Sequence, residues 1–356
     1  MTLPPQPLVS VALGVLATLA VLGLLHVGSS VFAPFAFALL LLALTAPIMA
    51  ALEVRLGRVP AFIVTLVVTI VVVFLFASLA LWAGRGIAGW ITANIDRLAA
   101  AYRALDDALS DLNLRFDALL PDRFEARWIL GPLTTTLSRL QSFGGFAILV
   151  LTFFALGLLE IGPMTRRLAR IEARQPTLRL RAIVREIAGK IRFNLGLWAV
   201  VGLADATLCY LLFRLIGLDQ PFAWAILIYV LNFIPFLGPL IVAVLLTAFA
   251  AAQFGNLGMV LLATGGTSLV NFVMGSYVQP LIAGRAIAIS PILLLFSVLF
   301  WALIWGLAGA FLGVSMTIAI LTICRATPAL RWIADLFMDV GQPETGLRSD
   351  PAARDG

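Results

Sequence analysis

The sequence predicts an all-α, polytopic membrane protein with about eight transmembrane segments, broken or re-entrant helices in its C-terminal half, and an external helical domain. Of the 356 residues, 62% are hydrophobic and 12% are charged, whereas soluble domains average about 25% charged residues. Long apolar runs recur along the chain, and one polar stretch carries a heptad pattern of apolar residues. Most of this chain is therefore expected to lie in lipid.

Eight apolar runs have the length that a helix needs to cross a hydrocarbon core of about 30 Å. They are Leu8–Leu25, Phe32–Leu52, Ala61–Ala83, Phe143–Ile161, Leu195–Gly217, Phe222–Ala252, Leu257–Val278 and Pro291–Cys324. The sixth and eighth runs are too long for one simple span. Each is interrupted near its middle, at Pro235–Pro239 and at Trp305–Gly309, and paired interruptions are a pointer to a transporter site.

The polar stretches between the runs predict the orientation. Nine basic residues and two acidic ones lie between Ile161 and Leu195, and the positive-inside rule places this loop, 162–194, in the cytoplasm. Counting spans from it places both termini in the cytoplasm. The predicted domains are 1–84 with three spans, 85–142 outside, 143–327 with five spans, and a cytoplasmic tail, 328–356, disordered from about 342.

The external stretch carries an apolar seam with alternating spacings of four and three residues. Its members are Ile91, Ile95, Leu98, Tyr102, Leu105, Leu109, Leu112, Phe116 and Leu119. Such a seam favours helix packing of the coiled-coil type. It packs either onto a return helix near Phe124–Leu140 of the same chain or against another subunit.

The most informative motif is Asn232-Phe-Ile-Pro-Phe-Leu-Gly-Pro239, in the middle of a stretch without charged residues. Pro235, Gly238 and Pro239 remove backbone donors and permit non-helical angles. Backbone that leaves the helix at membrane depth survives only when it is buried in protein or lines a wet cavity. The motif therefore predicts a site inside the membrane, in which Asn232 either lines the cavity or caps the broken helix.

Asp205 is the one acidic residue well inside a predicted span. Acids in membrane helices are costly and are functional-site candidates by default. Asp205 is therefore either a carboxylate that couples proton or cation movement, or a polar partner for Asn232, Asn271 or freed backbone groups. Asn271 is a weaker candidate of the same kind, since asparagine is common in hydrogen bonds between membrane helices.

Three further residues are candidates for the pathway. Gln279 and Arg285 belong to a short link before Pro291, predicted on the outer side, where Arg285 either attracts anions at a gate or reaches the lipid headgroups. Trp305 is either an interfacial anchor or a wall of the cavity. His26, the single histidine, is expected in a loop without chemistry.

Several function classes are disfavoured by the sequence. One histidine gives no HExxH zinc motif and little scope for a catalytic triad, and no Walker motif is present. We expect no enzyme activity, no cofactor and no metal. The basic residues flank membrane segments, which favours contact with membrane lipids over nucleic acid. Cys209 and Cys324 lie in apolar runs and are expected to be small core residues.

From about Leu8 to Thr327 the sequence resembles the AI-2E family of transporters, which includes autoinducer-2 exporters and PerM-like permeases. The residues that carry the resemblance are Pro34, Pro47, Arg55-Leu-Gly-Arg58, Asn232–Pro239, Pro280, Gly284-Arg285, Ser290-Pro291, Trp305-Gly306 and Gly309. The resemblance implies an eight-span inner-membrane protein that is oligomeric in at least some members. It also implies as substrates small hydrophilic signal molecules or, for some members, sodium or lithium exchanged for protons.

The sequence departs from the family pattern in two places. Leu197 and Trp198 stand where members often carry a basic residue followed by threonine, and Ser315 stands where many have a proline. Three hypotheses remain open at this stage. They are export of a small polar solute, cation/proton antiport through Asp205, and a non-transporting membrane scaffold that binds partners through the heptad seam. The helical interruption at Asn232–Pro239 favours transport.

Overall fold

A computed structural model of the chain describes residues 7–101, 103, 131, 143–175, 179–283 and 290–337. Its helices are α1 (Pro7–Val27), α2 (Ser29–Leu56), α3 (Arg58–Ala93), α4 (Phe143–Arg174), α5 (Leu180–Ile216), α6 (Pro221–Leu231), α7 (Leu237–Phe254), α8 (Leu257–Val273), α9 (Gln279–Ala283), α10 (Pro291–Ala326) and α11 (Arg331–Phe337). A π-helical segment, Met274–Val278, joins α8 to α9. The described residues contain no strand, and seven helical stretches among them are long and apolar enough to cross a membrane. The predicted all-α membrane fold is confirmed.

The helices on either side of the basic segment continue well beyond the predicted membrane boundaries. α4 extends past Ile161 to Arg174, and α5 already begins at Leu180, so most of the predicted loop 162–194 is helical. Arg181 at the start of α5 pairs with Glu172 near the end of α4. The two extensions therefore form a basic helical arm rather than a loop, because amphipathic helices remain stable outside the bilayer.

Helices α6 and α7 form a helical hairpin, called hairpin 1, whose two ends meet. The side chain of Gln253, at the end of α7, accepts a hydrogen bond from the Asp219 backbone N–H at 2.9 Å and donates one to the Gly217 carbonyl at 2.8 Å. Farther along, the ring centroids of Trp224 in α6 and Phe249 in α7 are 5.2 Å apart. With 11 residues, α6 is about 17 Å long and too short to cross the membrane. Hairpin 1 therefore enters the membrane and returns to the same side.

Helix α10 also folds back on itself, and its two arms form hairpin 2. Gly306 has φ +62° and ψ −140°, far from helical values. A β-carbon built on Gly309 would lie 1.8 Å from the Trp301 carbonyl oxygen, and one built on Gly313 would lie 3.0 Å from that of Ser297. These contacts join residues on opposite sides of Gly306, so the arms are antiparallel. Glycines spaced by four residues permit such close helix packing.

Contacts of hairpin 1 and of the helices that follow it show at which end of the bundle each connecting segment lies. Trp90, near the end of α3, donates to Asp219 at 2.9 Å, so hairpin 1 begins and ends at the end of the bundle opposite the basic arm. Helix α8 starts at that end and runs antiparallel to α5, where a β-carbon on Gly266 would lie 2.7 Å from Leu212. α9 in turn contacts α5. Gln279 thus lies at the end that carries the basic arm. The sequence count put its link at the end opposite the basic arm, because it treated Phe222–Ala252 as one full crossing, and that placement is corrected.

The start of the heptad seam packs against the chain's own helices. Ile91 and Leu98 are buried in one apolar cluster with Phe213 of α5 and Trp224 of α6, and Ile95 is half-buried. The seam residues Tyr102 to Leu119, the proposed return helix and the C-terminal tail from Gln342 lie outside the described residues, apart from Arg103 and Gly131. The external domain and the subunit seam therefore stay predictions.

Candidate functional site

The segment Asn232–Pro239, where the sequence predicted an interruption of the helix, forms the turn of hairpin 1. α6 ends at Leu231 and α7 begins at Leu237, and Phe236 between them has φ +63°, a region that residues other than glycine rarely adopt. Pro235 lies inside the turn and its carbonyl accepts a hydrogen bond from Leu237 at 2.7 Å. Pro239 lies in the first turn of α7, where a missing N–H breaks no helical hydrogen bond.

Gly238 allows the two helices of hairpin 1 to approach each other directly at this turn. A β-carbon built on Gly238 would lie 2.0 Å from the carbonyl oxygen of Leu231 and 2.7 Å from its carbonyl carbon. Backbone therefore packs on backbone here, and no side chain other than hydrogen fits. The sequence predicted an interruption at Gly238, whereas this close approach is visible only in the folded hairpin.

The turn of hairpin 1, also called its tip, packs against hairpin 2 and against the N-terminal helices. The ring of Phe233 stacks on that of Phe311 in α10 with centroids 5.9 Å apart, and Phe311 stacks in turn on Phe37 of α2 at 5.5 Å. Phe233 also meets Phe76 of α3 edge-on at 5.7 Å. Ile234 is buried in a cluster with residues from both arms of α10. The two broken segments of the chain are therefore in direct contact.

Asn232 lies directly on α5, one helical turn from Asp205. A β-carbon built on Gly202 would lie 2.7 Å from Asn232 Nδ2 and 3.6 Å from Asn232 Cβ. Gly202 and Asp205 are three residues apart and so share one face of the helix. Both are buried, as is Asn232. The structure thus brings together two of the residues that the sequence singled out.

Asp205 is 1% exposed and has few polar partners among the described residues. Its Oδ1 accepts a long hydrogen bond from Cys209 Sγ at 3.9 Å, and its Oδ2 makes no hydrogen bond to any described residue. The Cys209 thiol also lies close to the Thr267 side chain of α8. Buried polar atoms without partners are rare in native proteins and point to a strain reservoir, a functional role or an unoccupied binding position.

Helix α8 supplies the third wall of the site. Asn271 Nδ2 donates to the Thr267 carbonyl at 3.1 Å, which places Asn271 one turn beyond the Thr267–Cys209 contact. The π-helical segment Met274–Val278 follows directly and contacts α5. π-helical turns are rare and frequent at functional sites. Sequence reasoning missed this segment, and its one local signal was Gly275-Ser276 inside an apolar helix.

Trp305, another predicted pathway residue, lies in a different part of the bundle. Trp305, at the turn of hairpin 2, donates its indole N–H to the Leu25 carbonyl at 2.9 Å and belongs to a separate apolar cluster. His26, expected to have no role, lies 3.1 Å through Nδ1 from the Ile304 carbonyl, so Nδ1 is the donor. Together they hold this turn against the end of α1. Gln279 begins α9, and Arg285 lies outside the described residues.

The chemistry of the site follows from its functional groups. The site contains the carboxylate of Asp205, the carboxamides of Asn232 and Asn271, and the hydroxyl of Thr267. None of these four residues has a described basic residue as a hydrogen-bond or ion-pair partner. Such a set suits a neutral polar solute or a cation and disfavours an anion. Among the described residues, no group of three or more His, Cys, Asp and Glu could hold a metal ion.

Comparisons with known proteins give a consistent result. A family model described as the AI-2E family transporter matches residues 15–329. A putative transport protein of Haemophilus influenzae is 24% identical over 92% of this chain and 96% of its own length. The AI-2 transport protein TqsA of Escherichia coli is 26% identical, and a putative transport protein of Borreliella burgdorferi is 28% identical. These last two matches span 59% and 44% of this chain but only 60% and 43% of the relatives.

Proposed function

The chain belongs to the AI-2E family of membrane transporters, and from this premise we propose that it is a secondary transporter that exports a small polar solute or signal molecule. The solute binds at the tip of hairpin 1, between Asn232–Pro239, the Gly202–Asp205 turn of α5 and Asn271 of α8. The observation that carries this proposal is the non-helical turn at membrane depth, packed on a helix that holds a buried carboxylate. Interrupted helices at membrane depth are a recurring way to build transporter sites.

The proposal also includes the membrane, the orientation and the assembly of the protein. The basic arm of α4 and α5 faces the cytoplasm of a bacterial inner membrane, and both termini lie on that side. The transporter is a homo-oligomer in contact with membrane lipids, as the family resemblance implies. Members of this family are transporters rather than enzymes.

Replacing Asn232 by alanine tests the location of the site. Thermal unfolding of the detergent-solubilised protein is measured with AI-2, ribose, sodium chloride or lithium chloride, and with choline chloride as the reference. A probe that raises the Tm of the wild type should bind Asn232→Ala roughly fivefold more weakly, because one buried hydrogen bond contributes about 1 kcal/mol.

Asn256→Ala is the matched control for this experiment. Asn256 caps α8 through hydrogen bonds from Gly258 and Met259, far from the turn of hairpin 1. This variant should keep the stabilisation by the probe. Equal stabilisation of the wild type and Asn232→Ala would remove Asn232 from the site, and a panel without effect on the wild type would exclude these solutes as ligands.

A second candidate function, exchange of sodium or lithium for protons, is favoured by one specific observation. The Oδ2 of the buried Asp205, which forms no hydrogen bond with any described residue, is a position where a cation or a proton can bind. In everted vesicles that contain the wild type, added sodium or lithium should then release protons, and Asp205→Asn should abolish the release. Asp219→Asn, which keeps an oxygen to accept the Trp90 hydrogen bond at the outer end, should behave as the wild type.

The outcomes separate the two functions. If the wild type moves no protons in response to either cation, antiport is excluded and solute export remains. If Asp205→Asn releases protons as the wild type does, the assignment of the exchanging carboxylate to Asp205 is wrong.

A further inference from the structure

We propose that the buried face of α5 between Lys190 and Asp205 is the route by which a neutral or cationic polar solute reaches the site from the end of the bundle that carries the basic arm. This inference rests on the proposed function for the site itself. The route is new, because neither the family model nor the relatives assign a role to Lys190, Asn194, Trp198 or Thr322.

The first argument is the distribution of polar residues along α5. Lys190, Asn194 and Trp198 follow one another at spacings of four residues, and the same face continues through Gly202 to Asp205. Asn194 is buried, and its Oδ1 accepts a hydrogen bond from Trp198 Nε1 at 3.2 Å. Lys190 lies 15 residues before Asp205, about 22 Å along the helix. A polar row of this length extends through much of a hydrocarbon core of about 30 Å.

The second argument is that this polar face lies between protein elements and is not turned towards lipid. Lys190 Nζ donates to the hydroxyl of Thr322 in the second arm of hairpin 2 at 3.3 Å, and Thr322 is 1% exposed. Ile187 and Ile191, on the same side of α5 as this row, belong to one apolar cluster with Leu40 of α2 and Leu312 of hairpin 2. The row is therefore enclosed by α2 and by hairpin 2, where polar groups at membrane depth are tolerated.

The charge at the start of the route is compatible with a cation or a neutral solute. Lys190 Nζ lies 2.7 Å from Glu186 Oε1, so the pair carries no net charge. Beyond it, the polar groups on the face are an amide, an indole N–H and a carboxylate. An anion would meet only the uncompensated carboxylate of Asp205 at the end of the route.

The third argument is that the other side of Asp205 is closed. The buried residues of α5 beyond Asp205 are Ala206, Cys209 and Phe213. Cys209 and Phe213 are 0% exposed, and they belong to a cluster that includes Trp224 and Phe249, also 0% exposed. The structure therefore holds Asp205 behind an apolar barrier towards the end of the bundle opposite the basic arm, whereas the polar row on α5 leads from Asp205 towards the basic arm.

Thiol labelling in membrane vesicles tests the route without any transport measurement. In a protein with Cys209→Ala and Cys324→Ser, single cysteines are introduced by Asn194→Cys and by the nearly isosteric Thr322→Cys. A charged, membrane-impermeant methanethiosulfonate is added to inside-out or right-side-out vesicles. The exposed Arg170→Cys of the basic arm identifies the side of the membrane on which that arm lies. We expect both cysteines to react at least tenfold faster with reagent added on that side than with reagent added on the other side.

Two buried or lipid-facing positions serve as controls. Ala206→Cys, in the apolar barrier, and Val200→Cys, 62% exposed on the opposite face of α5, should not react from either side. Lack of reaction at both Asn194→Cys and Thr322→Cys, or faster reaction from the other side, would overturn the route. Normal AI-2 or cation response in Asn232→Ala and Asp205→Asn would instead contradict the proposed site, so the two failures are distinguishable.

Discussion

The Gly238→Ala variant should lose both stability and transport, since it introduces an atom where the turn of hairpin 1 has no space. The new β-carbon would lie 2.0 Å from the Leu231 carbonyl oxygen, an overlap that only backbone movement relieves. Overpacking of this kind costs about 3 kcal/mol or more. The movement would displace Asn232, the next residue after Leu231, from its place on α5. Thermal unfolding in detergent and uptake of a stabilising probe into vesicles measure the two effects.

Gly265→Ala is the matched control for this prediction. Gly265 lies in α8 with no heavy atom within 4 Å of the position of a β-carbon. Because alanine favours helix over glycine by about 1 kcal/mol, this variant should be as stable as the wild type or more so. A Gly238→Ala protein with wild-type Tm and transport would show that the tip of hairpin 1 does not pack as described.

The second large effect is expected from Gly309→Ala, which should prevent the two arms of hairpin 2 from closing. Its β-carbon would lie 1.8 Å from the Trp301 carbonyl oxygen and 2.5 Å from the carbonyl carbon. Both atoms are backbone, so no rotamer change can remove the clash, and the expected loss is again about 3 kcal/mol or more. The fraction of protein that elutes as a folded species in size-exclusion chromatography and its Tm give the readout.

Gly196→Ala provides the comparison for hairpin 2. Gly196 lies on an exposed face of α5, and no heavy atom lies within 4 Å of its β-carbon position. This variant should fold normally. If Gly309→Ala were as stable as Gly196→Ala, α10 would have to be a continuous helix across the membrane. The description of its two arms as antiparallel would then be wrong.

The two hairpins also explain why the sequence predicted the segments well and the path of the chain less well. Apolar runs and interruptions are local properties, so the breaks at Asn232–Pro239 and at Trp305–Gly309 could be predicted from proline and glycine alone. Whether a broken segment continues across the membrane or turns back depends on contacts between residues far apart in sequence. The Gln253 hydrogen bonds to Gly217 and Asp219 are one such contact. For this reason the sequence count put the link that begins at Gln279 at the other end of the bundle, while the predicted place of Gln279 in the pathway stays a prediction.

For the candidate site too, the sequence predicted individual residues, and the tertiary structure decided which of them meet. Asp205, Asn232 and Asn271 were identified because each is a polar residue in an apolar run, and polar groups in membranes are costly. Their proximity depends on Gly202, which the sequence did not single out and which lets Asn232 lie on α5. The sequence left Trp305 as either an interfacial anchor or a wall of the cavity, and only the structure shows that its indole donates a hydrogen bond to the end of α1. The π-helical segment after Asn271 has no strong local signal.

The sequence by itself determined that this chain is a polytopic α-helical membrane protein with two broken segments, because hydropathy and backbone chemistry act residue by residue. Only the tertiary structure decided that both segments are hairpins, that their broken parts meet, and that Asp205 is enclosed between an apolar cluster and a polar row on α5. The physical reason is that glycine permits a close contact without specifying its partner. The partner is chosen when the helices pack.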